Sequence, residues 1–339
     1  MRAVVFHTDT RKLSLETVAD PTPEAGQVVI KVHRCGICGS DLHMAEGHGI
    51  SFEDGAVPGH EVSGEVVAIG AGVNSVAPGD SVAVLPYVTC GTCLACQSGY
   101  PSDCRKARMF GSRATGGYAE YLLTNDIWCV KLPQSLSFED GALVEPLAVS
   151  LRAARASNVK PGDKVLVMGS GDIGLAAAYW ARRCGASRVA ICATSTRRQA
   201  IAEAMDIDAF ITPEDGVTLA RQTELALGGL ADIVFECAGV PGSLDQAVSA
   251  LRRQGVVAAP GFCWTPDRFT SMNAMVKEAR LLFTCIYDSR EFEIAVDALD
   301  NGHIEPRAMI TDVVDLQSAP EAFERLRGAN NHCKVMIRP

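Results

Sequence analysis

The 339 residues are 47% hydrophobic, enough to fill more than one core, so two domains are expected. Against 31 Lys+Arg stand 40 Asp+Glu, a net charge of -9, which argues against a surface built to neutralise nucleic-acid phosphates or anionic lipid. The opening MRAVVFHTDTRK turns polar too soon for a signal peptide, and no apolar run is long enough to span a bilayer; the expectation is a cytoplasmic protein with a small-molecule partner and neither nucleic acid nor membrane.

In chain order, residues 1 to about 150 read as an all-β region of short strands between Gly and Pro turns: AVVF, QVVIKVHRCG, VSGEVVAIGAG, DSVAVLPYV and GGYAEYLLT. Within it RCGICGSDLH offers Cys38, with Ser40, Asp41 and His43 close behind, and VPGHEVSGE offers His60 and Glu61. A Cys, a His and a carboxylate or water would hold a metal and keep one position open for an oxygen ligand, the arrangement Lewis-acid catalysis needs. Each piece alone also suits a structural hydrogen-bonder or a core thiol. Glu145, inside the apolar ALVEPLAV, is expensive there unless paired or metal-bound; a helix-start or salt-bridged glutamate is the alternative.

The segment CGTCLACQSGYPSDC places Cys90, Cys93, Cys96 and Cys104 where two-residue gaps turn successive thiolates toward one ion and a longer excursion returns the fourth. Four thiolates leave no open position, so the metal can brace a loop but cannot easily bind substrate. An iron–sulfur run would carry Pro after its last Cys, whereas Arg105 follows Cys104; a nucleic-acid finger would want a basic helix. The other eight of the thirteen cysteines, Cys184, Cys192 and Cys285 among them, read as small core residues of a reducing compartment.

From about residue 164 apolar runs alternate with helical stretches: KVLVMG, a helix near 172–183, RVAICA, a helix near 197–205, AFIT, a helix near 215–227, DIVFECAG, a helix near 242–252, GVVAAPGF, a helix near 273–278, and RLLFTCIY. Six buried strands separated by helices predict a doubly wound parallel sheet, an α/β domain over 151–288. Its first turn, GSGDIG, sets Gly169, Gly171 and Gly174 in G-x-G-x-x-G order around Asp172 and Ile173, so that a pyrophosphate would rest on the helix N-terminus. At the end of the second strand, where an acid would hold the ribose of NAD, stands Ala193, followed by Thr194, Ser195, Thr196, Arg197 and Arg198. Losing the carboxylate and gaining positive charge favours NADP(H) over NAD(H), unless the arginines are only a solvated helix start.

The tail from about 289 has a helix, EFEIAVDALDNG, and a last strand, KVMIRP, and is expected to return to the first domain. Strand 281–287, LLFTCIY, is an apolar edge expected to pair with its copy in a second subunit, giving a homodimer or a homotetramer.

Taken in order, CGICGSDLH, PGHE, CGTCLAC with its later Cys, EPL and GSGDIG resemble the zinc-containing medium-chain dehydrogenases, particularly their polyol (sorbitol-like) and threonine dehydrogenase branch, over nearly the entire chain. The resemblance implies a GroES-like catalytic domain, residues 1–150 with a structural zinc lobe at 88–106 and the return 289–339, beside a Rossmann domain, with the substrate cleft between them. It implies two zinc ions, one in the four-cysteine lobe and one catalytic, the latter on Cys38 and His60 with Glu61 or Glu145 completing the set. Ser40 and His43 match its proton-relay positions. Hydride would pass between a secondary alcohol or a carbonyl carbon and the nicotinamide. Two departures stand out: Asp172 where the turn more often reads GAGPIG, and Ala193 in place of the acid of NAD-using members. Pocket candidates are Phe110, Trp264 and the loop 46–53. The rivals are a zinc-free quinone or enoyl reductase, which would lack Cys38, His60 and the four-cysteine lobe, and a non-enzymatic binding protein on the same fold.

Overall fold

The computed structural model describes every residue except His48 and Arg113. The chain divides into two compact units, residues 1–145 with 287–339, and residues 146–286.

The first unit is built on a sheet of seven strands. Six run in the order Ile310–Asp315, Lys334–Arg338, Gln27–Gly36, Glu61–Ile69, Ser81–Val84, Cys129–Lys131, and Tyr121–Asn125 pairs with Gln27–Gly36 as well. Val28, Ile30, Val32, Val62, Val66, Val82 and Val84 alternate inward along these strands and are buried in one core. Two register facts position the chemistry. Gly36 pairs with Glu61 at the end of the antiparallel ladder, so Cys38 and His60, just beyond it on their two strands, leave from the same sheet end. Met336 and Ile337 pair with Gly36 and Cys35, which brings the tail to that end as well.

The all-β expectation for residues 1–150 needs correction. Helix Gly39–Glu46 follows Cys38 directly, and the 20-residue helix Phe138–Ser157 contains Glu145. The first was hidden by its length of 8 residues and the second by Gly141 and Pro146, which weaken a helical pattern. Helix Phe138–Ser157 is fixed at its start by Ser137 and Asp140, each accepting from the other's backbone N–H at 2.9 and 3.2 Å. The tail also carries a strand, Ile310–Asp315, and a helix, Ala319–Arg327, that the sequence pattern did not announce.

The second unit is a six-stranded parallel sheet in the order Ala209–Ile211, Arg188–Cys192, Lys164–Met168, Ala231–Glu236, Leu251–Ala259, Arg280–Phe283, as expected of a doubly wound fold. Successive strands depart in opposite directions from Lys164–Met168 and Ala231–Glu236, so the topological switch, where such sheets bind ligands, lies between those two. The edge strand stops at Phe283, not at residue 287. Residues 251 and 252 open a strand rather than ending a helix, and the helices expected near 197 and 215 begin at Gln199 and Leu219. Cys285 is exposed, against its reading as a core residue, while Cys184 and Cys192 are half-buried. Among the described residues no helix is long and apolar enough to cross a membrane.

Candidate active site and metal centres

At the sheet end, the ligand atoms of Cys38, His60 and Glu61 lie within 4.8 Å of one another. Helix Gly39–Glu46 begins here with Cys38 as its N-cap, and Asp41 at the third helical position returns its Oδ2 to the Cys38 N–H at 3.2 Å. That turn places Asp41 under His60. The Asp41 Oδ1 is 3.3 Å from His60 Nδ1, both side chains being buried, and the Tyr118 hydroxyl donates to Asp41 Oδ2 at 2.8 Å. A carboxylate on Nδ1 fixes the ring and its tautomer and leaves Nε2 for a cation.

Electrostatics follow from this crowding. Burial opposes charge on His60, but Asp41 and Cys38 beside it hold its pKa well above that of an ordinary histidine. Burial likewise disfavours ionised Asp41, yet His60 and Tyr118 keep it below the usual carboxylate range. Burial pushes the Cys38 thiol up despite His60. Ser40 donates its hydroxyl to Cys38 Sγ at 3.2 Å.

The two glutamates are held differently. Glu61 is fully buried and its Oε1 meets the Nζ of Lys334, also fully buried, at 2.6 Å; that ammonium donates too to the Ile37 carbonyl at 3.3 Å. A side chain on Gly36 would strike Glu61 Oε2 at 1.8 Å, so glycine there makes room for this carboxylate. Glu145, buried in its helix, accepts from the Tyr287 hydroxyl at 2.7 Å. Burial first, then the neighbouring Glu145 carboxylate, pushes the Tyr287 pKa well up. The structure thus groups Cys38, His60 and Glu61, while Glu145 accepts from Tyr287. Asp41 stood in the segment read from sequence without a role of its own, and Tyr118, Tyr287 and Lys334 had no place there. Asp41 had a signal, an acid three residues after an N-cap ahead of helix-forming residues; the other three, far along the chain, had none.

The trio suits zinc: thiolate, imidazole and carboxylate are its ordinary donors, and three protein ligands leave a position open. In the lobe all four cysteine sulfurs also lie within 4.8 Å of one another, with Cys90 to Cys96 at 3.9 Å, Cys93 to Cys96 at 3.5 Å and Cys104 to Cys90 at 3.6 Å. Backbone N–H groups of Thr92 and Cys93 bring the Cys90 thiol down to about 6, while burial lifts Cys96 to about 11. The lobe is anchored at its base, where Thr89 donates its N–H to Asn125 Oδ1 at 2.7 Å and its hydroxyl accepts from Trp128 Nε1 at 2.9 Å.

In the second unit, the glycines of the GSGDIG turn answer three separate demands. Gly169 has φ of 102°, a left-handed conformation. A side chain on Gly174 would meet the Gly169 carbonyl at 2.0 Å, so it packs helix on strand. At Gly171 a Cβ would find only Arg198 Nη1 at 3.8 Å, an open cradle where a phosphate can approach the backbone. Helix Asp172–Arg183, with Ile173 in its first turn, starts immediately after. Ala193 is the first residue after the neighbouring strand, Arg188–Cys192. Beyond it Arg197 Nε donates to Ser195 Oγ at 3.0 Å and Arg198 Nη1 to the Ser170 carbonyl at 3.3 Å. Thr194 and Thr196 lie on the same turn, between that strand and helix Gln199–Ala204.

The pocket candidates fare less well. Phe110 is a buried member of the first unit's core, as is Phe52 of the loop 46–53, which packs on Phe6 with ring centroids 5.4 Å apart. His48 of that loop lies outside the described residues. Trp264 is half-buried, 5.7 Å from Phe262.

Comparison with known proteins gives a consistent picture. Residues 24–134 match the family model for the alcohol dehydrogenase GroES-like domain, and residues 173–301 that for zinc-binding dehydrogenases. The chain is 30% identical to sorbitol dehydrogenase of Bacillus subtilis (strain 168) over 344 residues, covering 100% of this chain and 97% of that protein. It is 33% identical to (R,R)-butanediol dehydrogenase of the same organism over 355 residues, covering 100% of both. A crystal structure from Sinorhizobium meliloti 1021, described as that of a candidate zinc-binding dehydrogenase bound to NADP, superposes with a TM-score of 0.89 at 30% identity, covering 100% of this chain and 99% of that one.

Proposed function

Because the chain belongs to the zinc-type medium-chain alcohol and polyol dehydrogenases, we propose that it moves a hydride between a secondary alcohol, a polyol among them, or its carbonyl counterpart, and NADP(H). The observation that carries this reading is the convergence of Cys38, His60 and Glu61, with the imidazole fixed from behind by Asp41. Cys38 and His60 would hold one zinc, with Glu61 or Glu145 as the third protein ligand, and Cys90, Cys93, Cys96 and Cys104 a second, structural one. The first zinc supplies Lewis-acid polarisation of the substrate oxygen.

The chain's own groups do the rest. Asp41 keeps His60 turned to the metal, Lys334 offsets the buried charge of Glu61, and Ser40 and His43 carry the hydroxyl proton away. The GSGDIG backbone takes the pyrophosphate. Ala193 removes the carboxylate that would repel a 2′-phosphate, and Thr194, Ser195, Arg197 and Arg198 supply donors and charge to hold one. Thiolate ligands need a reducing surrounding, so the proposal places the protein in the cytoplasm. The edge strand Arg280–Phe283, ending in the 69% exposed Phe283, is the surface on which a homodimer, or a tetramer of two, would form.

A panel of secondary alcohols, polyols and ketones assayed with NADPH and NADH, alongside metal analysis, tests the reading. Wild type should turn over with two zinc per chain and prefer the phosphorylated cofactor; Cys38→Ala should keep one zinc and lose turnover by about 10³-fold or more. Full activity in Cys38→Ala removes the assigned role, and no turnover by wild type across the panel favours the non-enzymatic rival.

A further inference from the structure

The dinucleotide turn carries an anion of its own. The donors on which a pyrophosphate rests are the unpaired N–H groups of the first helical turn together with the helix dipole. Here the Ile173 N–H already donates to Oδ1 of Asp172 at 2.9 Å. Asp172 is half-buried, and its charge reaches the other wall of the switch-point crevice. Burial first, then the Glu236 and Asp172 carboxylates, holds the Cys237 thiol well up. That wall lies against the glycine turn itself, since a Cβ on Gly169 would stand 3.1 Å from the Ala238 nitrogen.

We propose that Asp172 is a built-in competitor for the pyrophosphate of the cofactor: its carboxylate engages the N–H and the helix dipole that the dinucleotide uses, so the protein binds its cofactor more weakly, and lets it go faster, than the same turn with a neutral residue would. The proposal rests on the dinucleotide site described above. Its physical signature is a pair of effects of opposite sign. An acid in the first turn stabilises the empty helix, while the same charge repels the phosphates that come to it. Neutralising Asp172 therefore tightens the cofactor and slightly loosens the free protein; a residue that only shaped the turn would, once replaced, weaken both. Because cofactor release limits turnover in many enzymes, a carboxylate here trades affinity for speed.

The test compares wild type, Asp172→Asn and Gly171→Val. Dissociation constants for NADPH and NADH are read from quenching of protein fluorescence at low and high salt, release rates from stopped flow, and melting temperatures without cofactor. Asp172→Asn is expected to bind both dinucleotides about three- to tenfold tighter, through slower release and by a margin that shrinks with salt, while its melting temperature stays level or falls slightly. Asp172→Pro, which removes the carboxylate and suits the first helical position, serves if the Asn variant does not fold. Equal or weaker binding in the neutral variants, with binding lost in a folded Gly171→Val, overturns the role of Asp172 and leaves the site standing. Absence of dinucleotide binding in wild type, or undiminished binding in Gly171→Val, removes the site itself.

Discussion

The two candidate metal centres of the first unit are built by opposite means. In the lobe, all four sulfurs come from 15 consecutive residues, Cys90 to Cys104, and their donors are as local, the Lys106 N–H lying 3.4 Å from Cys104 Sγ. At the sheet end, Cys38, His60 and Glu61 come from the ends of two paired strands, and their partners from everywhere else: Tyr118 lies 77 positions from Asp41, and Lys334 lies 273 positions from Glu61. A closed tetrathiolate makes its own environment. An open site with a carboxylate and an imidazole needs its charges compensated by groups the fold must deliver, because buried ions without partners cost several kcal/mol each.

The sharpest way to break this contrast is Lys334→Met. It should strand the Glu61 carboxylate and cost about 3–5 kcal/mol in denaturant unfolding, with zinc lost from the sheet-end site alone. Unchanged stability would mean that Glu61 needs no counter-charge. Cys96→Ser should come next, releasing the lobe zinc and lowering the unfolding midpoint by roughly 2–4 kcal/mol. Activity per folded molecule should survive, and a variant that keeps its stability but loses catalysis would erase the division of labour between the two groups.

Asp41→Asn probes the support behind His60. It should weaken zinc at the sheet end by about 10- to 100-fold in chelator competition, without touching the lobe.

The smallest effect concerns the helix that carries Glu145. Arg307 grips Asp140 through two bonds of 2.7 and 2.8 Å. Burial disfavours the Asp140 charge, but Arg307 and the Ser137 N–H hold its pKa below the ordinary aspartate value. The folded value being depressed, this contribution is present at neutral pH and fades as pH falls through the unfolded and then the folded value. Asp140→Asn should therefore cost about 1–2 kcal/mol at pH 7 and progressively less in acid, the arginine being partly exposed; a loss that is the same at both ends of the titration would assign the pair no electrostatic share.

The oxidoreductase family, the parallel sheet, the GSGDIG turn and the lobe were legible because each rests on short-range chemistry. Strand period, crossover helices, glycine spacing and cysteine spacing are all fixed within a few dozen residues. Helix Gly39–Glu46 escaped because 8 residues show little periodicity, and the strand Ile310–Asp315 because its neighbour, Lys334–Arg338, lies further along the chain.

The residues alone determined which donors exist and that Cys38, His60, Glu61 and Glu145 were candidates for a metal. Tertiary structure decided how each is held: the Gly36 to Glu61 register joins Cys38 and His60, the pairing of the tail at Met336 and Ile337 brings Lys334 to Glu61, and the return of the chain at Tyr287 gives Glu145 a hydroxyl donor. Ligand type is a property of a side chain, whereas charge compensation in a buried place depends on which distant segments the sheet sets side by side.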